Sequence, residues 1–205
     1  VATSNRVPDD LYKDGLNRQL FLPFIALLKE QLDVLHLAGG RDYRLDRLAE
    51  QPVYFSPLDA RTNAEMDRIY AEMTEGYENN PQTLVTQGRK LEVSTSARGV
   101  ARFRFEELCA RALGASDYLT LTEHFHTTFL DHVPRLTPAR RNESKRFVTL
   151  VDILYEAKAN LVMSAEVEAE QLYTAGDGSF EFARTVSRLM EMRSEEYLKG
   201  HAAKN

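Results

Sequence analysis

The chain has 205 residues, 43% of them hydrophobic and 28% charged, and a net charge of −5. This composition is ordinary for a soluble globular protein, and the length supports one core, or one core with a small lid. The negative charge gives no overall electrostatic reason to expect nucleic acid as the main partner, and no apolar run approaches the roughly 18 residues of a membrane-spanning helix. The single cysteine, Cys109, excludes an intramolecular disulfide, fits a reducing compartment and is predicted to be a buried packing thiol.

The first predicted elements are a strand end at residues 1–5 and a long amphipathic helix that Gly39-Gly40 ends. Apolar residues recur in this helix at spacings of three and four, so we expect one face of it to lie in the core. That face comprises Leu16, Leu20, Phe24, Leu27, Leu28, Leu32 and Leu35. A second helix is predicted over about residues 61–75, before Asn79-Asn80-Pro81.

A β-hairpin is predicted in the middle of the chain. Apolar and charged residues alternate over 90–93 and again over 101–105, and Ser96-Ala97-Arg98-Gly99 supplies a turn between them. Arg102 and Arg104 then share one face of the second strand. This face is either solvated or a patch for a partner or nucleic acid, and the sequence leaves both readings open.

Helices and strands alternate in the prediction for the second half. In order, these elements are helices near 106–113 and 116–125, a strand at 127–130, a helix from Thr137-Pro138 to about Glu156, a strand at 161–165, and a helix from Asp177-Gly178-Ser179 to about Leu198. Strand, helix and strand in this order predict a parallel crossover. We therefore expect an α/β fold in which helices cover a mostly parallel sheet.

Eight short motifs, in one order, carry a family resemblance that runs nearly end to end. They are Thr3-Ser4-Asn5-Arg6 with Pro8 and Leu11-Tyr12, Gly15-Leu16 with Arg18, residues 21–25, 53–58, 103–109 and 126–134, Lys145-Arg146-Phe147, and residues 184–192. On these motifs the chain resembles the ZapE-like P-loop ATPases, bacterial cell-division ATPases whose mitochondrial relatives include the lactation-elevated protein. The 205 residues contain no G-x-x-x-x-G-K-[ST] phosphate-binding loop. Because the chain also begins without Met, inside the first motif, we expect it to be the C-terminal half of a longer protein and to be inactive alone.

The resemblance implies a partial P-loop AAA+-like sheet in three parts. Residues 1–38 would end the nucleotide-binding core with a sensor-one strand and an arginine-finger helix. Residues 39–114 would form an inserted hairpin and helical region, and residues 115–205 the remaining core strands and a sensor-two helix.

The resemblance also implies an activity and a setting. The parent protein would hydrolyse ATP with Mg²⁺, both bound largely by an N-terminal half, and remodel a protein partner from the division machinery or the membrane. We expect a homo-oligomer, no nucleic-acid partner and no transmembrane segment in this chain. The expected location is the bacterial cytoplasm, in association with the membrane, with the mitochondrion as the alternative. A second hypothesis is a non-catalytic protein-interaction module, since the phosphate-binding loop is missing.

Asn5 and Arg18 are the candidate catalytic residues. A short amide at the carboxyl end of a strand can hold a water in line with the γ-phosphate, and the resemblance makes Asn5 the sensor-one residue. Its alternative role is to cap the turn before Pro8. Arg18 points away from the predicted core face, and the resemblance implies an arginine finger that reaches a neighbouring subunit's site. Its alternative is a surface salt bridge.

Arg184 and Arg188 are the candidate nucleotide-binding residues. They are four residues apart on the final helix, so the two cations repel each other unless an anion or carboxylates lie opposite them. The resemblance implies that one of them, with Arg188 the first choice, touches the bound nucleotide as sensor two. The alternative is pairing with carboxylates, for which Glu181, Glu191 and Glu195 are the available residues in sequence.

Two further clusters are weaker candidates. His124, His126 and His132 have a spacing that suits metal ligands, but no cysteine or tight carboxylate group completes a zinc site, so packing or surface roles are favoured. The basic run 140–146 is either a solvated helix face or a surface that faces a partner or phosphate.

Overall fold

The structure, a computed structural model, describes residues 18–32, 48–173 and 179–202. The chain divides into two compact units, Val1–Gly40 and Arg41–Asn205. The strand end predicted at residues 1–5 lies outside the described residues. In the first unit, helix α1 spans Arg18–Gln31.

The apolar face of α1 is largely exposed. Ile25 is buried, but Leu20 is 82% exposed, and Phe24, Leu27 and Leu32 are exposed as well. The prediction that these four residues lie in a core is therefore wrong for this chain. A spacing of three and four identifies the apolar side of a helix, but it does not establish that the same chain supplies the surface that covers it.

The second unit is built on a five-stranded sheet. Its strands are β1 (Tyr54–Phe55), β4 (Thr95–Ala97), β5 (Val100–Arg104), β6 (Thr127–Val133) and β7 (Asn160–Ala165), in the order β1-β7-β6-β5-β4. All neighbours are parallel except β4, which is antiparallel to β5. This confirms the predicted α/β fold with a mostly parallel sheet. The region 39–114 contributes β1, β4 and β5 to it, and the three-part division of the chain stays a prediction.

The helices of the second unit cover both faces of this sheet. They are α2 (Ala60–Thr74), α3 (Ala115–His124), α4 (Arg141–Glu156), α5 (Ser179–Met192) and α6 (Glu195–Ala202), with a π-helical turn at Glu106–Ala110 and 3₁₀ turns at Pro138–Arg140 and Ala169–Gln171. The chain passes from β1, at one edge of the sheet, to β4 and β5 at the opposite side. It then returns toward β1 through β6 and β7 in turn. Because parallel crossovers are right-handed, α2 covers one face, and α3 and α4 cover the opposite one.

Packing contacts agree with this layering. Tyr70 of α2 meets Phe129 of β6 edge to face, with ring centroids 5.3 Å apart. Phe147 of α4 meets Phe105, which follows β5, at 6.3 Å. Every residue of β7 and nearly every residue of β6 is buried, as expected for central strands covered on both faces. Cys109 is also buried, and burial raises the pKa of its thiol, so the predicted packing role is confirmed.

The middle of the chain forms two hairpins instead of the predicted one. Strands β2 (Gln82–Thr86) and β3 (Arg89–Val93) pair as a separate two-stranded sheet, and β4 pairs with β5. The turn within residues 96–99 is present, but the partner of β5 is β4 and not the strand at 90–93. The reason is that Gln87-Gly88 and Arg98-Gly99 both have positive φ angles, so each closes its own tight turn.

The final helical segment is divided. A single helix to about Leu198 is predicted, but α5 ends at Met192 and α6 begins at Glu195. The Ser194 hydroxyl lies 3.2 Å from the backbone N–H of Tyr197, which donates to it. A serine in this position caps a new helix, and the apolar pattern alone does not show such a break.

Candidate functional site

The predicted site residues fall in different parts of the chain. Asn5 lies outside the described residues. Arg18 is the first residue of α1, in the first unit. Arg184 and Arg188 both lie on α5, in the second unit, and they are the two candidates that the structure brings together.

A single carboxylate joins Arg184 and Arg188. Asp152 of α4 accepts a hydrogen bond from Nη2 of Arg184 at 2.6 Å, and its other oxygen forms an ion pair with Nη1 of Arg188. The two cations, which would otherwise repel each other, are therefore held on either side of one anion. The carboxylates proposed from the sequence were on α5 and α6, whereas the observed partner lies on α4.

Arg188 has two more contacts with α4. Its Nη2 donates to Glu156 Oε1 at 2.8 Å, and its guanidinium carbon lies 4.8 Å from the centroid of the Tyr155 ring. The Tyr155 hydroxyl in turn donates to the Glu191 carboxylate at 3.0 Å. The Arg188 side chain is only 17% exposed, whereas that of Arg184 is 57% exposed. Arg188 is thus enclosed by α4, and Arg184 presents most of its guanidinium to solvent.

The carboxyl edge of the sheet is the place where open α/β folds bind ligands. Adjacent strands β1 and β7 are followed by α2 and by the 3₁₀ turn that precedes α5, and their chain connections run in different directions, which is where the topology of an open α/β sheet places a binding crevice. In this protein the crevice is bridged by its own side chains. Ser56 donates a short hydrogen bond to Glu168, and the Tyr54 hydroxyl donates to the carbonyl of Val167 at 2.7 Å. Burial raises the pKa of Tyr54 well above its usual range.

The amino terminus of α2 also faces this edge. Such a terminus can bind a phosphate through its exposed N–H groups. Here the side chain of Asp59 accepts a hydrogen bond from the backbone N–H of Thr62 at 2.7 Å, and this bond holds the pKa of Asp59 below its usual range. The position of an anion is therefore taken by the protein's own carboxylate.

The end of β6 carries a further charged group. Arg102 Nε donates to Asp131 at 2.6 Å, and Arg102 Nη1 donates to Asp67 of α2 at 2.7 Å. The Asp131 side chain is 8% exposed, so this ion pair is largely buried. Of the two arginines on β5, Arg102 is partly buried and held in these ion pairs, while Arg104 is exposed.

The histidines and the basic run have separate surroundings. His124 Nδ1 lies 2.8 Å from the carbonyl of Thr120, and His132 Nε2 lies 3.1 Å from Asn63 Oδ1. Over the parts of the chain that the structure describes, no group of three or more His, Cys, Asp or Glu residues could hold a metal ion. In the basic run, Arg146 donates to the carbonyl of Cys109 at 3.0 Å. Arg141 and Lys145 line a small surface pocket with Tyr173 and Phe182.

Comparisons with family models and with curated proteins point to the same family. The model of the AFG1-like ATPase family matches residues 1–201. The chain belongs to the AFG1-like ATPase family. It is 41% identical to cell division protein ZapE of Escherichia coli over 199 residues, which cover 97% of this chain and 53% of that protein. It is 33% identical to lactation elevated protein 1 homolog B of Danio rerio, over 96% of this chain and 46% of that one.

The family match confirms the resemblance inferred from the motifs. The chain spans about half the length of the curated relatives it matches. No solved structure matches it significantly. The helices that the structure describes are all too short or too polar to cross a bilayer.

Proposed function

We propose that the full-length protein hydrolyses ATP and uses the energy to remodel a protein partner linked to cell division. The support is the family match over residues 1–201 and the similarity to a cell division protein over nearly the whole chain. The alternative within this proposal is a partner from membrane-protein quality control. We further propose a homo-oligomer in the bacterial cytoplasm, in contact with the membrane, with the mitochondrion as the alternative location.

We base the proposed location of the phosphate-binding site on the closed carboxyl edge of the sheet. Asp59 occupies the amino terminus of α2, and Glu168 is bonded across the crevice to Ser56. Two carboxylates at this edge repel a triphosphate, and one of them already accepts a backbone N–H at the amino terminus of α2. We therefore propose that the phosphates of ATP and the Mg²⁺ ion bind chiefly in the part of the full-length protein that corresponds to the uncovered half of its relatives.

In this proposal the chain contributes charged and polar side chains to a site completed elsewhere. Asn5 orients the attacking water as sensor one, and Arg18 contributes positive charge across a subunit interface as an arginine finger. Arg184 and Arg188 are proposed to form the sensor-two element. The exposed guanidinium of Arg184 fits a phosphate group, because its planar fork can donate to two phosphate oxygens.

A second candidate function is a non-catalytic protein-interaction module. It is favoured by the lack of a phosphate-binding loop within these 205 residues and by the closed crevice. In that case the arginines on α5 serve only to fasten α5 to α4.

Steady-state ATP hydrolysis with Mg²⁺ distinguishes the two functions. The full-length protein and the 205-residue chain are assayed side by side, with and without added candidate partners. Turnover by the full-length protein and none by the chain is the expected result. If the full-length protein neither binds nor hydrolyses ATP, the interaction module replaces the ATPase proposal.

A further inference from the structure

The shared carboxylate between α4 and α5 gives the two arginines unequal roles. Arg188 contacts Asp152, Glu156 and the Tyr155 ring, and its side chain is 17% exposed. Arg184 makes its ion pair through one terminal nitrogen, Nη2, and its side chain is 57% exposed. A guanidinium has five N–H donors, so the pair with Asp152 uses only part of the donor capacity of Arg184.

Asp152 is itself held in place. Its side chain is 23% exposed, and the ion pair with Arg188 fixes one of its two oxygens. Because Glu156 and Tyr155 also contact Arg188 and hold it in place, the remaining oxygen of Asp152 presents a fixed acceptor to Arg184. A long arginine side chain held at one nitrogen loses less conformational freedom when its other donors bind an anion.

The exposed donors of Arg184 favour an anion as the ligand. One carboxylate is shared by two guanidinium groups, so Arg184, Asp152 and Arg188 together carry one net positive charge. Glu156 pairs with Arg188, and with Glu156 included the four charged groups are neutral overall. The exposed donors of Arg184 are therefore the part of the group that can still bind a negatively charged ligand.

We propose that Asp152 is a positioning residue that orients Arg184 toward a phosphate of the bound nucleotide, whereas Arg188 fastens α5 to α4. This inference rests on the proposed ATPase function, and it reverses the order of the two arginines that the family resemblance suggests. Arg184 becomes the residue that touches nucleotide. Asp152 acts through Arg184 and touches no ligand.

The test is a double-mutant cycle in the full-length protein. The dissociation constant of the fluorescent nucleotide mant-ADP is measured in the presence of Mg²⁺. The proteins compared are the wild type, Asp152→Asn, Arg184→Ala and the double variant. We expect Arg184→Ala to weaken binding about tenfold, the scale of one charge-assisted hydrogen bond. Asp152→Asn should weaken it by a smaller factor, about threefold to fivefold on the same scale. The double variant should match Arg184→Ala, because Asp152 has no role without its arginine.

Two controls separate positioning from a purely structural role. Glu143→Gln removes a carboxylate of the same helix whose ion pair is with Arg140, and it should leave the dissociation constant at the wild-type value. Asp152→Glu keeps the charge but displaces it by one methylene, so its binding should fall between that of the wild type and that of Asp152→Asn. Thermal unfolding of each variant verifies that the protein is folded.

Three results overturn the inference while leaving the ATPase proposal intact. They are wild-type affinity in Asp152→Asn, tighter binding in Asp152→Asn, and an Asp152→Asn effect that persists at full size in the Arg184→Ala background. The second result would mean that Asp152 competes with nucleotide for Arg184. If the wild-type full-length protein binds no nucleotide, the proposed function fails, and this inference fails with it.

Discussion

Asp59 accepts a hydrogen bond from the backbone N–H of Thr62 at the start of α2, at 2.7 Å. This bond satisfies one of the N–H groups that a helix start leaves without an intrahelical partner, and it places a negative charge where a nucleotide-binding helix would place a phosphate. The sheet of residues 41–205 therefore has the topology of a ligand-binding α/β fold with an edge that its own carboxylates close. This relationship supports our proposal that the phosphates of ATP bind chiefly outside the second unit, with Arg184 as its contact to them.

Removing the Asp59 cap should destabilise the protein in a pH-dependent way. The pKa of Asp59 is lowered in the folded state, so its contribution to stability is complete above the unfolded pKa of about 4 and is lost as the pH falls through the folded value. Asp59→Ala should lower the urea midpoint at pH 7, and the difference from wild type should shrink toward pH 3. Asp59→Ser keeps a capping oxygen and should remain close to the wild type at pH 7. A midpoint for Asp59→Ala equal to that of the wild type at pH 7 would show that the cap is not stabilising.

Replacing only one partner of the Arg102–Asp131 ion pair should destabilise the fold strongly. Asp131 is nearly buried, so Arg102→Met leaves a buried carboxylate without its main partner, and we expect a loss of about 3 kcal/mol in the free energy of unfolding. Adding Asp131→Asn to Arg102→Met should restore part of this loss. Arg68→Ala is the matched control, because Arg68 forms its ion pairs at the surface and should matter little. Equal unfolding midpoints for Arg102→Met and Arg68→Ala would contradict the assignment.

Two hairpin glycines should respond differently to alanine. Gly88 and Gly99 both have positive φ, 79° and 77°, but a Cβ at Gly99 would lie 2.6 Å from Cδ2 of His126, whereas nothing lies within 4 Å of one at Gly88. Gly88→Ala should cost about 1 kcal/mol through backbone strain alone, and Gly99→Ala distinctly more. Chemical denaturation of both variants measures the difference. Adding His126→Ala should relieve the excess at position 99 but not the cost at position 88, and a failure to do so would exclude the steric explanation.

The buried thiol of Cys109 should react only after unfolding. Burial raises its pKa, so at pH 8 the folded protein holds almost no thiolate and shields the sulfur from reagents. With a thiol-specific chromogenic reagent we expect slow modification of the native protein and rapid, stoichiometric modification in urea. Rapid reaction of the native protein at pH 8 would mean that the helical turn around Cys109 opens readily.

The sequence predicts those parts of the fold whose signal is local. Strand β6, helix α4 and strand β7 have apolar runs or amphipathic spacing that one stretch of sequence contains, and their parallel order follows from the crossover rule. The pairing of β5 with β4 depended on which of two competing turns closed the hairpin, and alternation of residues does not decide that choice. Non-local pairing is therefore where the prediction fails.

The candidate site shows the same limit. The spacing of Arg184 and Arg188 indicates that counter-charges are needed, but Asp152 is 32 residues from Arg184 in sequence and meets it only because α4 and α5 pack together. The exposed leucines of α1 show the opposite case, in which a local pattern identifies an apolar face but not what covers it. Position along a helix is readable from the sequence, and the identity of the facing element is not.

The measurement that tests the functional account most directly is ATP turnover by the full-length protein with Mg²⁺, comparing the wild type with Arg18→Ala. The account predicts that the wild type hydrolyses ATP and that Arg18→Ala still binds nucleotide but loses turnover by about a thousandfold, the scale of an arginine finger. Lysine at this position should not restore the rate, because an ammonium cannot hold two phosphate oxygens in a planar fork. Wild-type turnover in Arg18→Ala would contradict the assignment of this chain as the half that supplies the finger.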